Sequence, residues 1–253
     1  MSDPKPVAEP AEQLPGASHQ RGEAPRSHFA HVLREFVIVV VLALVLSLVV
    51  KTWLMQAFYI PSGSMEDTLV QGDRVVVSKL TPTPFALERG DIVVFEDPGQ
   101  WLPASTAEPL TGVRKNLHDG LVFVGLLPSD ADNHLIKRVI GLPGDHVVCC
   151  TKDGKLTVNG VAVTEPYLKS GDAPSNDPFD ITVPAGKVWV MGDHRSNSGD
   201  SRYHDDNSGG ADGSVAIDRV VGRAVAVVWP FTDLAWLGQQ ADTTFAKVPE
   251  PSS

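Results

Sequence analysis

The run Phe36–Val50, FVIVVVLALVLSLVV, carries no charged residue and limits what this chain can fold into more than any other stretch. A bilayer's hydrocarbon core takes about 20 residues of helix. Extended through Lys51-Thr52-Trp53-Leu54-Met55, the segment reaches that length with one charge, near its end. A lysine there can snorkel to the interface, and Trp53, Phe58 and Tyr59 supply the aromatic belt that follows. The sequence therefore predicts one membrane anchor over 35–55. Arg21, Arg26 and Arg34 precede it, and after Lys51 the next basic residue is Arg74. That bias places the N-terminus in the cytoplasm and the long C-terminal part outside the cell membrane. The residues before the run outnumber a usual signal n-region, and no A-x-A site follows it. A retained anchor is therefore expected rather than a cleaved signal.

Residues 1–34 are polar and hold Pro4, Pro6, Pro10, Pro15 and Pro25. Such a composition buries too little apolar surface to fold, so a disordered tail is expected. The net charge of −10 excludes the basic footprint of a nucleic-acid binder.

Beyond Asp73 the apolar runs are short and rich in Val and Ile: Arg74–Ser78, Ile92–Phe95, Leu135–Ile140, His146–Cys150, Leu156–Val163, Lys187–Met191 and Val215–Val228. Turn signals such as Pro143-Gly144-Asp145 and Asn159-Gly160 separate them. The fold class expected is mainly β and largely antiparallel, over 56–240, with a flexible tail at 241–253. The Pro-rich stretch Glu96–Asn133, with its apolar patch Leu121–Leu127, reads as an inserted lobe at 97–133. Ala224–Leu237 reads as a strand followed by a loose end. The acidic loop Tyr203–Gly213 fits no EF-hand spacing and reads as a solvated turn.

Cys149 and Cys150 are the two cysteines. Their adjacency excludes a zinc spacing and a disulfide framework. On a strand they point to opposite faces, which favours two unpaired thiols over a vicinal bridge.

Three segments carry chemistry. Phe58–Leu69 (FYIPSGSMEDTL) holds Ser62 and Ser64 in what is, by itself, an ordinary turn. No G-x-S-x-G elbow surrounds them. Ile136–Asp145 (IKRVIGLPGD) sets Lys137 and Arg138 in a Val/Ile-rich strand, where charge is costly. Alternation puts Lys137 with Leu135 and Val139, and Arg138 with Ile136 and Ile140, so one of the two cations is expected to turn inward. Met191–Tyr203 (MGDHRSNSGDSRY) packs Asp193, Arg195, Asp200 and Arg202 into a corner able to brace itself with arginine–carboxylate pairs.

In this order, behind one anchor, PSGSM, KRVIGLPGD and GDHRSNSGDSR resemble the boxes of the bacterial type I signal peptidase family. The resemblance runs from the anchor to about Trp229. Asp67 stands where the family often has Pro, and His194 where Asn is frequent. The adjacent cysteines differ from the spaced disulfide of some members.

The resemblance implies a serine endopeptidase with Ser64 as nucleophile and Lys137 as general base. It implies Ser62 and the Ser64 backbone N–H as oxyanion donors, Ser198 orienting the amine, and Asp200 and Arg202 as bracing. Ile60, Met65, Leu69 and Ile136 match the walls of the substrate pocket. The implied partners are exported preproteins with A-x-A signal peptides, and membrane lipid; no metal or organic cofactor is implied. His134 faces away from Lys137 and reads as a surface residue. Two other Ser-Lys readings fail. The SOS-repressor autoproteases carry a DNA-binding domain and no anchor, and S-x-x-K with K-T-G is absent. A catalytically dead membrane-anchored scaffold would not need Ser64, Lys137 and Ser198 together.

Overall fold

The computed structural model describes residues 26–99, 101–102, 112, 120, 133–238 and 241–251. The chain divides into two compact units, Met1–Ala43 and Leu44–Ser253. The described part of the first is helix. Helix α1 spans Arg26–Val49 and runs into a π-helical turn at Val50–Leu54. Phe29–Leu54 is long and apolar enough to cross a membrane. Residues 26–34, assigned above to a disordered tail, are helical. Pro25 is the last of the tail prolines, and His28–Glu35 holds nothing that breaks a helix. Residues 1–25 lie outside the described residues.

In the second unit the described residues form twelve strands. They are β1 (Met55–Tyr59), β2 (Arg74–Ser78), β3 (Ile92–Glu96), β4 (His134–Gly141), β5 (His146–Cys149), β6 (Thr157–Val158), β7 (Val161–Ala162), β8 (Phe179–Thr182), β9 (Lys187–Met191), β10 (Val215–Ala216), β11 (Val220–Trp229) and β12 (Ala235–Trp236). The larger sheet runs β1-β2-β11-β3-β4-β9-β10, with β12 added to β11; the smaller runs β7-β6-β5-β8. Every pairing is antiparallel. The mainly β expectation holds, and Asn159-Gly160 turns the β6–β7 hairpin with both residues at positive φ.

Strand β4 is central, between β3 and β9, and is buried from Leu135 to Gly141. Apolar clusters cover both of its faces: Leu135 and Val139 join Val93, Phe95, Val188 and Val190, while Ile136 and Ile140 enter the other two cores. The expectation that Lys137 or Arg138 alone would turn inward assumed one wet face. With both faces covered, both cations are inside, at 4 % and 0 % exposure.

Ala224–Leu237 has no loose end, because a short helical turn at Phe231–Asp233 brings β12 back onto β11. The C-terminal tail is packed as well. Phe245 and Val248 are buried in the core around Trp189, and the Pro249 carbonyl accepts from Arg89 and Asn159. Asp205 organises the acidic loop through Ser208, Gly210 and Gly213. Cys149 and Cys150 are placed as a vicinal pair, where two unpaired thiols were expected. Strand β5 ends at Cys149, so strand alternation does not reach Cys150. Most of the 97–133 insertion, including Leu121–Leu127, lies outside the described residues.

Candidate active site

Three segments meet at one point. The first leaves β1 through Ile60-Pro61, whose backbone is tied to the next strand by Ile60 N–H to Asp73 O and Gly72 N–H to Ile60 O, both 2.9 Å. The turn Ser62–Leu69 then closes on itself, with the Leu69 N–H donating to Met65 O at 2.7 Å. Met65 and Leu69 are wholly buried beneath it and anchor the turn in the core with Val75 and Val77. The Ser64 side chain is thereby held nearly buried, and Ser62 Oγ lies 3.4 Å from Ser64 Oγ.

The second segment is β4. Lys137 Nζ lies 2.7 Å from Ser64 Oγ across a sequence gap of 73 residues. Burial pushes the amine down to about 8 against weaker opposing pulls from the Asp200 and Asp193 carboxylates, with Arg202 adding to the fall. A charged amine donates to Ser64 Oγ; a neutral one can take the hydroxyl's proton.

The third is the corner after β9. Gly192 is a point where the corner and the Ser62–Leu69 turn approach closely. A Cβ there would sit 2.5 Å from the Ser64 carbonyl oxygen and overlap the Ser198 side chain. Asp200 accepts from the Gly192 N–H at 2.9 Å and is forked by Arg202 at 2.9 and 2.8 Å. Burial would raise the Asp200 carboxyl, but Arg202 and the Gly192 N–H bring it below its ordinary range. Ser198 Oγ is buried and makes no full hydrogen bond, so the expected bond to Lys137 is not formed. Its looser approach to Asp200 adds to the groups that lower that carboxyl.

The corner braces itself less than its sequence suggested. Arg202–Asp200 is internal, but Arg195 pairs with Glu165, and Asp193 takes Arg138 at 2.8 and 2.6 Å. Arg138 also donates to Gly90 O and lies 3.9 Å from the Tyr167 ring centroid. Thr68 donates to Asp193 at 2.6 Å, which ties the Ser62–Leu69 turn into the same network. Sequence reading left out Arg138, Glu165, Thr68 and Gly192 as parts of the site. The one available signal was the cost of an arginine in an apolar strand, which demands a partner.

Ile60 and Ile136 line a cleft of about 20 Å³ with Phe58, Tyr59, His134 and Leu135. Met65 and Leu69 lie inside the core instead. His134, expected on the surface, is half-buried against Phe58 at 5.3 Å, and burial lowers its pKa. It heads the same central strand, whose neighbours cover it. Among the described residues no group of three His, Cys, Asp or Glu side chains is placed to hold a metal ion.

Known proteins resemble this chain over most of its length. A family model described as signal peptidase, peptidase S26, matches residues 33–229. The chain belongs to that family. It is 38% identical over 230 residues to the signal peptidase I of Mycobacterium tuberculosis, covering 82% of this chain and 76% of the relative. It is 37% identical over 227 residues to a probable signal peptidase I of Mycobacterium leprae, covering 78% and 76%. A crystal structure of a signal peptidase I from Enterococcus faecalis matches at 26% identity over 54% of this chain and 95% of that one. Its TM-score of 0.33 is too low to support a structural argument. Membership makes the chain a peptidase acting on signal peptides. All three of the segments above lie inside the matched signal peptidase region.

Proposed function

We propose that this signal peptidase is a membrane-anchored serine endopeptidase in which Ser64 attacks and Lys137 is the general base. The observation that carries the reading is the 2.7 Å approach of Lys137 Nζ to Ser64 Oγ by an amine that burial brings to about 8. At pH 7 such an amine is neutral about a tenth of the time, against about three parts in ten thousand for an ordinary lysine. Burial thus supplies the base that an unactivated hydroxyl lacks.

In the first step Ser64 Oγ bonds to the scissile carbonyl carbon while its proton passes to Lys137 Nζ. The carbonyl oxygen, now negative, takes hydrogen bonds from the Ser64 backbone N–H and the Ser62 hydroxyl. The lysine then gives its proton to the departing amine, and the acyl-enzyme forms. Water, deprotonated by the same lysine, releases the signal peptide and restores Ser64. Asp200 and Arg202 hold the corner that faces Ser64 and Lys137.

The substrate is an exported preprotein with an A-x-A cleavage site, added as a strand beside the segments carrying Ser64 and Lys137. The small cleft at Ile60 and Ile136 fits residues of that size. Helix α1 crosses the cell membrane with its N-terminus in the cytoplasm, and the catalytic unit lies outside the cell.

Purified protein in detergent tests this with an A-x-A preprotein and the variants Ser64→Ala and Lys137→Ala. The wild type is expected to cut after A-x-A and both folded variants to be inactive. Cleavage by folded Lys137→Ala would put the base elsewhere.

A further inference from the structure

The residue that departs from the family pattern in the third box is built into the nucleophile turn. The His194 backbone N–H donates to Ser64 O at 3.1 Å, and its ring Nδ1 lies 3.1 Å from Gly63 O. The same Nδ1 is 3.3 Å from a Glu66 carboxylate oxygen. Both ring neighbours are pure acceptors, so Nδ1 carries the proton, whether the ring is neutral or charged. The imidazole therefore donates to the peptide on the N-terminal side of Ser64, the peptide whose N–H is the oxyanion donor assigned above.

Glu66 is held by more than the ring. Lys169 pairs with the same carboxylate oxygen that His194 approaches, and the Glu66 N–H donates to Gly63 O at 3.1 Å. Its carboxylate lies so close over Gly63 that a Cβ there would meet it at 2.8 Å. The segment that supplies Lys169 is fixed to both neighbours. Ser170 N–H donates to Asp67 at 3.0 Å, Lys169 N–H to Asp193 O at 3.1 Å, and Asp172 takes the Ser196 N–H and hydroxyl at 3.0 and 2.8 Å. One carboxylate and one ring thus join the nucleophile turn, the corner and the 165–172 segment at the peptide that must point its N–H at the substrate.

We propose that His194, with Glu66 and Lys169, is a positioning device that sets the orientation of the Gly63–Ser64 peptide and hence of the oxyanion donor. The proposal rests on Ser64 being the nucleophile. An imidazole N–H and an asparagine amide N–H are both short, neutral donors, so either can serve at this position; alanine and leucine cannot. Such a device acts when charge develops on the carbonyl oxygen and leaves ground-state binding alone.

The test uses the full chain in detergent with an A-x-A preprotein, and a peptide aldehyde of the same sequence that Ser64 converts to a tetrahedral adduct. His194→Ala and Glu66→Gln are expected to lower kcat by about tenfold or more with KM within about twofold. Aldehyde affinity should fall by the same factor as kcat/KM, and His194→Asn should recover most of both. His146→Ala, at a histidine paired with Asp180 far along the chain, is the control expected to leave the rate unchanged. Wild-type turnover in His194→Ala would overturn the proposal. So would a loss confined to KM, or a fall in folding stability with unchanged aldehyde affinity, since these mark a merely structural residue. Full cleavage by Ser64→Ala would instead remove the nucleophile assignment and the proposal with it, whatever the His194 variants do.

Discussion

Lys137 and Arg138 are neighbours on one strand, equally withdrawn from water, and treated in opposite ways. Arg138 is met by a bidentate carboxylate, a backbone carbonyl and an aromatic face, and these hold its pKa above the ordinary value although burial opposes them. Lys137 shares its strand face with the apolar Leu135 and Val139 and meets a serine hydroxyl. Burial wins there, and the pKa falls to about 8. Burial alone decides neither charge state; what stands opposite the cation does. A guanidinium cannot be deprotonated in a protein and must be matched, whereas an amine can be stripped of its proton and used. On the function proposed above, one face of β4 is therefore a brace and the other a reaction centre.

The sharpest break in that contrast is Lys137→Met. Preprotein cleavage is expected to fall by about 10⁴-fold or more, measured as kcat/KM, because the base is gone. On the other face the effect is on folding. Asp193→Asn leaves Arg138 buried without its counter-charge and is expected to cost about 3–5 kcal/mol in denaturant unfolding. If Asp193→Asn were as stable as the wild type, the two faces would not differ as described. Lys137→Met should move stability the other way, by up to ~3 kcal/mol at pH 7, since it removes a buried amine whose charged form is disfavoured. The folded pKa of Lys137 lies below its unfolded one. Between about pH 8 and 10.5 the unfolded chain therefore holds a proton that the folded chain lacks. Stability from this group accordingly rises with pH across that window, and Lys137→Met should lose the rise. The smallest effect is expected from Val139→Thr. A hydroxyl on the lysine's face eases its burial and should move the pH dependence of cleavage upward by less than about half a unit.

The sequence disclosed the parts of this contrast but not their pairing. Arg74–Ser78 and Lys187–Met191 are strands at the bounds their Val-rich runs suggested, and the three boxes converge on one site. Strand β8, Phe179–Thr182, was illegible because Asp177, Pro178 and Asp180 read as loop; it exists by pairing with β5. Likewise β1 was hidden in the apolar run before it and is defined by its register with β2. Arg138's partner stands 55 residues away, and nothing local shows that both faces of β4 would be covered. His134 and the packed C-terminus were misjudged for the same reason. Alternation and composition describe a segment, while burial is decided by what other segments bring to it.

The pH dependence of kcat/KM for A-x-A preprotein cleavage, from pH 5 to 10, tests the central claim most directly. The account predicts a tenfold rise per pH unit that levels off near pH 8, where Lys137 becomes neutral. A rate independent of pH from 6 to 9, or one still rising at the ordinary lysine value of about 10.4, would contradict it.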